Sequence, residues 1–256
     1  MGYRGRAGQG GARLAAIGAA VLLAVAATPG GAQPTDCRFL DHGGSRYLAC
    51  EVNLSEAELR LFWQRPDGTR YLTFAAVADA LAAEGARLSV ATNAGMFDAD
   101  HDPIGLYVEA GETLVSANTN EGYGNFHLLP NGVFFWAGDR AGVMETNRFL
   151  AERPAADYAT QSGPLLLIDG AVHPRFLPDS DSYKLRSGVG IIDPQHVVFA
   201  ISRDAVTFYD FALMFRDALG VRDALYLDGS ISSLRAPALD RPGGGRFGPI
   251  LGVVER

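Results

Sequence analysis

The sequence predicts an α+β fold: a single domain with a sheet-rich mixed β core and two or more packed helices. Three observations predict it. Two segments carry helical periodicity with clear end signals, most other apolar residues alternate with polar ones at strand spacing, and turn residues recur at hairpin distance. No repeat at solenoid spacing and no low-complexity linker interrupts the chain, so one core is expected rather than an array.

At the N-terminus, Arg4, Arg6 and Arg13 precede the apolar and small run Leu14 to Ala27, followed by Pro29, two glycines and Ala32. This order predicts a secretory signal peptide over residues 1–32 and a domain over 33–256. The run is 14 residues long, short for a hydrocarbon core of about 30 Å, so no integral span is expected after cleavage. The leader holds three arginines and no acid, so residues 33–256 carry 19 Lys+Arg against 29 Asp+Glu, a net charge of −10. Such a balance excludes broad nucleic-acid binding and requires any anionic substrate to be held by a local cluster of donors. Periplasmic or secreted localisation follows from the leader.

Cys37 and Cys50 bracket "RFLDHGGSRYLA", which reads as strand, His-Gly-Gly turn, strand; in an oxidising compartment the two thiols are expected to pair. In "LSEAELRLFW", Ser55 and Glu58 imitate a capping box while Leu59, Leu61 and Trp63 alternate with polar neighbours. The strand reading is preferred because Pro66-Asp67-Gly68 follows at hairpin distance. "FAAVADALAAEG" places Phe74, Val77 and Leu81 on one helical face and stops at Gly85. Hairpins are expected at "GLYVEAGETLVS" and at "GNFHLLPNGVFFW", the second turning on Pro-Asn-Gly. "GPLLLIDGAVH", "VGIIDPQHVVFAIS" and "DALYLD" read as strands. The clearest helix is "TFYDFALMFRDALG", with Thr207 and Asp210 as capping box, Phe208, Phe211, Phe215 and Leu219 on one face, and Gly220 at its end.

Most familiar catalytic motifs are absent: no G-x-S-x-G elbow, no P-loop, no H-E-x-x-H and no Cys/His cluster. "DADHD" at 98–102 spaces its acids like a calcium loop, but Pro103 stands where such a loop needs a glycine with positive φ, so an acid-rich turn is expected and no metal or other cofactor is assigned. His42, His173 and His196 read as turn or surface residues. More telling are four glycine-bearing polar segments, each at the end of an apolar run: "NAGMF" (93–97), "TQSGP" (160–164), "RSGVG" (186–190) and "DGSISS" (228–233). Glycines let a backbone approach a ligand, and N–H groups beside serine hydroxyls can cradle a phosphate.

At these segments the chain resembles the phosphodiester glycosidase domain family, in its bacterial exported branch. The likeness runs from about Leu59 to Val254 and is strongest in "NAGMFDADHDPIGLYVEAG", "GYGNFHLLPNGVFF", "ATQSGPLLLIDGAVHP", "KLRSGVGI", "FRDALGVRDALYLDGSISSL" and "GPILGVV". An Arg-Ser/Thr-x-x-Gly element is kept as Arg186, Ser187 and Gly190, and an asparagine-glycine element as Asn93 and Gly95. Where more typical members carry Asp-Gly-Gly-x-Ser, this chain has Asp228-Gly229-Ser230-Ile231-Ser232, which adds a side chain where a ligand would approach the backbone.

The resemblance implies hydrolysis of the sugar–phosphate glycosidic bond in a sugar-1-phosphodiester, the expected partner being a small-molecule or glycan substrate bearing that group. Asp228 is expected to act as general base or nucleophile at the anomeric carbon, and Arg186 to hold phosphate oxygens through its planar fork, with Lys184 as a nearby point charge. Gly229, Ser230, Ser232 and Ser233 would bind phosphate or sugar hydroxyls, joined by Ser187 and Gly95. Asn93, Gln161, Ser162 and Gly163 would bind the sugar or orient water. Asp98 and Glu109 compete as a second carboxylate should one be needed. Two other readings stand beside this one. One is a non-catalytic carbohydrate-binding envelope protein with Tyr107, Tyr123 or Phe126 as platforms; the other is a phosphodiesterase that breaks P–O.

Overall fold

The structure is a computed structural model that describes residues 1–5, 8, 35–228, 231–236 and 245–256. By contacts the chain divides into two units, Met1–Ala32 and Gln33–Arg256, and the second holds the strands and helices that follow. Most of the leader, together with Gly229 and Ser230, lies outside the described residues.

Strands β1 (Thr35–His42) and β2 (Ser45–Asn53) form the expected first hairpin, turning through Gly43 and Gly44 at φ 56° and 79°. Cys37 lies directly opposite Cys50 in that ladder, and the two form a disulfide. In β3 (Glu58–Phe62) the alternation overrides the capping-box likeness: Leu59 and Leu61 are buried, and Ser55 Oγ donates to Asn53 Oδ1 at 2.7 Å within a turn. The hairpin expected after it shrinks to one bridge, Gln64–Arg70, because β3 ladders instead onto the last strand of the chain.

Helix α1 (Phe74–Ala83) is capped by Thr73, whose hydroxyl accepts from Ala76 N at 3.1 Å, and buries Phe74, Val77 and Leu81. β4 (Arg87–Asn93) is buried along nearly its whole length. β5 (Tyr107–Glu109) and β6 (Glu112–Val115) make the expected hairpin through Ala110 and Gly111, both at positive φ.

The hairpin expected at Pro-Asn-Gly does not form. Asn125–His127 is a short 3-10 turn, and β7 (Gly132–Ala137) pairs with β8 (Arg140–Glu145) around Gly138 instead. The reason is Asn131, which is buried, donates to Phe126 O at 3.0 Å and accepts from Thr146 Oγ1 at 2.7 Å; it anchors a loop rather than shaping a turn. Helix α2 (Thr146–Glu152) follows, capped by Glu145.

The chain continues through β9 (Tyr158–Ser162), β10 (Leu165–Ile168), β11 (Ala171–Val172), β12 (Ser187–Asp193) and β13 (His196–Ser202). Helix α3 (Phe208–Leu213) has the expected cap: Thr207 Oγ1 accepts from Asp210 N at 3.0 Å and donates to its carboxylate at 2.7 Å. It widens into a π turn, Met214–Ala218, before Gly220. β14 (Asp223–Asp228), β15 (Leu234–Arg235) and β16 (Ile250–Glu255) complete the fold.

These strands build three sheets, in the orders β1-β2-β13-β12-β14-β10-β11, β15-β4-β16-β3 and β6-β5-β9-β7-β8. With three α-helices among the described residues, the arrangement is sheet-rich and consistent with an α+β class. Leu225, Leu227, Val189, Phe134 and Leu251 from all three sheets share one core, while α3 and the π turn after it pack Phe211 and Phe215 on the other face of the seven-stranded sheet. Burying a side chain of that size contributes about 2–3 kcal/mol, which is ample to fix α3 on the sheet. No helix among the described residues is long and apolar enough to cross a membrane.

Candidate active site

Three sheets bring strand ends to one rim. Asn93 ends β4, Ser162 ends β9, Asp228 ends β14, and Ser187 opens β12. Antiparallel register places Ser187 opposite Asp228 and Ile250 opposite Asn93. Hydrogen bonds tie these ends together. Asn93 Oδ1 accepts from Ser187 Oγ and from Ser233 N, each at 3.1 Å, and Ser187 Oγ also lies 3.3 Å from Asp228 O. Ser162 Oγ donates to Leu227 O at 3.1 Å, Ser232 Oγ donates to Asp228 O, and Thr92 Oγ1 donates to Ser233 O at 2.9 Å. Two groups in this knot are left over: Asn93 Nδ2 and Ser233 Oγ are buried and make no hydrogen bond among the described residues. Five of the expected site residues, Asn93, Ser187, Asp228, Ser232 and Ser233, thus meet in one network.

Arg186 precedes β12 beside a register shift between Ser187 and Gly188. It is only 1% exposed. Its Nε donates to Val206 O at 2.9 Å and Nη2 to Ser182 O at 2.7 Å, while its Cζ lies 3.6 Å from the centroid of Phe208. Phe208 is stacked on Phe176 at 5.0 Å, and Phe176 on His173 at 4.6 Å, so the guanidinium caps a column of three rings. Burial pulls its pKa down and the nearby Tyr226 hydroxyl pushes it up; an arginine starting so high stays charged. Burial in turn raises the Tyr226 phenol, which the Arg186 charge lowers and the Asp228 charge raises. One hydroxyl therefore feels both the cation and the carboxylate assigned to catalysis from the sequence.

The remaining expected residues stand in other surroundings. A Cβ on Gly95 would collide with the carbonyl of Gln161, and Gly95 N donates to Thr160 Oγ1 at 3.0 Å. Gln161 is buried with all of its polar valences used: Oε1 accepts from Leu106 N and Asn118 N, both at 2.9 Å, and Nε2 donates to Asn118 O at 2.8 Å and Thr146 Oγ1 at 3.2 Å. Gly163 lets Asn131 and the Phe126 carbonyl approach closely. These three residues pack the floor on which the rim stands. Asp98 accepts from Asp100 N and Asp102 N at 2.9 and 3.0 Å, an acid-rich turn. Glu109 takes a 2.6 Å hydrogen bond from Tyr107 and lines a separate cleft of about 760 Å3 with Arg60, Tyr71 and Tyr158; burial raises its pKa. No group of three or more His, Cys, Asp or Glu able to hold a metal occurs among the described residues.

His173 departs from its surface assignment. It is 1% exposed, its Nε2 makes no well-aligned hydrogen bond among the described residues, and burial lowers its pKa to about 4 against the opposing pull of the Pro130 carbonyl. The sequence carries no signal for these surroundings of Tyr226, Phe208 and His173, because apolar strand and helix patterns absorb aromatic residues without marking which ring faces a charge.

A family model for phosphodiester glycosidase matches residues 86–247. The uncharacterized protein YigE of Escherichia coli K12 is 37% identical over 186 residues, covering 73% of this chain and 72% of that protein. Among solved structures, the zebrafish N-acetylglucosamine-1-phosphodiester alpha-N-acetylglucosaminidase catalytic domain, auto-inhibited by its pro-peptide, shares the fold with a TM-score of 0.62 at 14% identity, over 89% of this chain and 85% of that one. A hypothetical protein from Synechocystis does so with a TM-score of 0.55 at 17% identity, over 86% of this chain and 61% of that one.

Proposed function

The chain belongs to the phosphodiester glycosidase family, and on that premise we propose that it is an exported hydrolase that cleaves the sugar–phosphate glycosidic bond of a sugar-1-phosphodiester. The observation that carries the reading is the unpaired, buried amide of Asn93 in the same knot as the register-paired Ser187 and Asp228. A buried donor without a partner costs stability, and a sugar hydroxyl or phosphate oxygen would satisfy it.

In this reading Asp228 supplies the carboxylate at the anomeric carbon, as nucleophile or as base toward water. With water, a C1–O bond to the incoming oxygen forms, Asp228 takes the proton, the C1–O bond to phosphate breaks, and the electron pair leaves with a phosphate monoester anion. Such a leaving group departs without strong acid, so the main demand is charge neutralisation. A guanidinium has five N–H bonds, and the hydrogen bonds to Val206 O and Ser182 O use two of them, leaving others for phosphate oxygens on the side of Tyr226. Ser232 and Ser233, with Gly229 and Ser230 between Asp228 and them, would complete the cradle.

The disulfide and the leader support a periplasmic or secreted setting. The binding-module alternative loses two of its platforms, since Tyr107 and Phe126 are buried; Tyr123 is fully exposed.

Hydrolysis of a sugar-1-phosphodiester in oxygen-18 water tests the proposal. Label in the sugar is expected. Label in the phosphate would mean P–O cleavage and would overturn it, as would unchanged turnover in Asp228→Asn.

A further inference from the structure

Tyr226 is fully buried in β14; its hydroxyl lies beside the Arg186 and Asn125 side chains yet makes no well-aligned hydrogen bond among the described residues. A buried hydroxyl without a partner is a net loss that phenylalanine would avoid in the same space, so its presence asks for a use. The ring is held firmly. It sits edge-on to Phe208, with centroids 4.7 Å apart at 82°, and its backbone N–H donates to Pro164 O at 3.1 Å. Its hydroxyl feels the charge of Asp228, two residues on and across a bulge in the ladder with β12. The Arg186 Cζ lies 5.7 Å from the Tyr226 ring centroid. Asn125, which also faces the hydroxyl, is exposed, so the phenol lies one side chain beneath the surface.

We propose that Tyr226 is a catalytic residue whose hydroxyl donates a hydrogen bond to a non-bridging phosphate oxygen of the substrate, beside the Arg186 guanidinium. The inference rests on the hydrolase reading above and adds to it a donor that no sequence motif marked. The phenol is held protonated through the neutral range, so it acts as a donor only and no proton is transferred. Its hydrogen bond neutralises charge that grows on the phosphate as C1–O breaks, the type of interaction that lowers a barrier rather than simply tightening binding.

The test compares wild type with Tyr226→Phe, and with Tyr47→Phe as a control, since Tyr47 is a second buried hydroxyl without a hydrogen bond but packs on Phe211 away from the rim. Unfolding in urea, Kd for inorganic phosphate and for glucose 1-phosphate, and kcat/KM on a p-nitrophenyl-type sugar phosphodiester are measured for each. Tyr226→Phe is expected to unfold no earlier than wild type, to bind phosphate about tenfold more weakly, and to lose on the order of a hundredfold in kcat/KM; Tyr47→Phe is expected to leave both functional values unchanged. Unchanged Kd and kcat/KM in Tyr226→Phe, or earlier unfolding, would overturn the assignment. If wild type binds phosphate but hydrolyses no sugar phosphodiester, the hydrolase reading falls and the Kd comparison alone decides on Tyr226. If wild type binds no phosphate, both fall.

Discussion

Lowering the pH below about 6.5 should destabilise this protein through His173. The imidazole is buried on Phe176 with an unsatisfied Nε2, and burial, helped by the charge of Arg175, lowers its pKa to about 4. In the unfolded chain the same group titrates near 6.5. Between these values the unfolded state binds the extra proton, so stability is fully present above about pH 6.5 and is lost as pH falls toward 4. Working the linkage between about pH 7.5 and pH 5 gives a loss of about 2 kcal/mol from this one side chain. Urea unfolding of wild type and His173→Asn at both pH values measures it, asparagine keeping an acceptor for Arg175 N in place of the ring nitrogen. The variant should lose about 2 kcal/mol less than wild type over that interval, whatever its absolute stability. Equal losses would refute the reasoning.

Other perturbations have equally definite outcomes. Replacing Cys37 and Cys50 by serine removes a cross-link between residues 13 apart and should lower stability by about 3 kcal/mol; an unchanged urea midpoint would show that the hairpin holds without it. Gly95→Ala drives a Cβ into the Gln161 carbonyl and to 2.5 Å from Thr160 Oγ1, neither at the end of a flexible chain. It should cost about 3 kcal/mol or prevent folding, measured as soluble yield and unfolding midpoint; a variant of wild-type stability would mean that β4 and β9 are not in close contact there.

Local signals read well where chemistry and geometry coincide. The Thr207–Asp210 cap, the Gly43-Gly44 turn and the alternation of Leu59 and Leu61 each act within a few residues, and each appears where expected. Pro-Asn-Gly misled because the partner of Asn131 is Thr146, fifteen residues away, and a turn motif carries no trace of so distant a hydrogen bond. At the rim, Asn93, Ser187, Asp228, Ser232 and Ser233 converge as a glycine-and-hydroxyl pattern suggested. Gln161 and Gly95 carry the same pattern but spend it on their neighbours. The difference is not burial, which Asn93 and Gln161 share, but whether neighbours use every polar atom, a tertiary property. His173 and Tyr226 were hidden for the converse reason: an aromatic residue satisfies a core pattern whether or not its polar atom finds a partner.

Because Asn93, Ser162 and Asp228 each come from a different sheet, the rim exists only when all three sheets have docked. A proteolytic fragment or split half that kept any one sheet intact would retain secondary structure yet lack the proposed site. Recombining complementary pieces should restore the proposed hydrolysis and cooperative unfolding together, in the same titration and at the same concentration of partner.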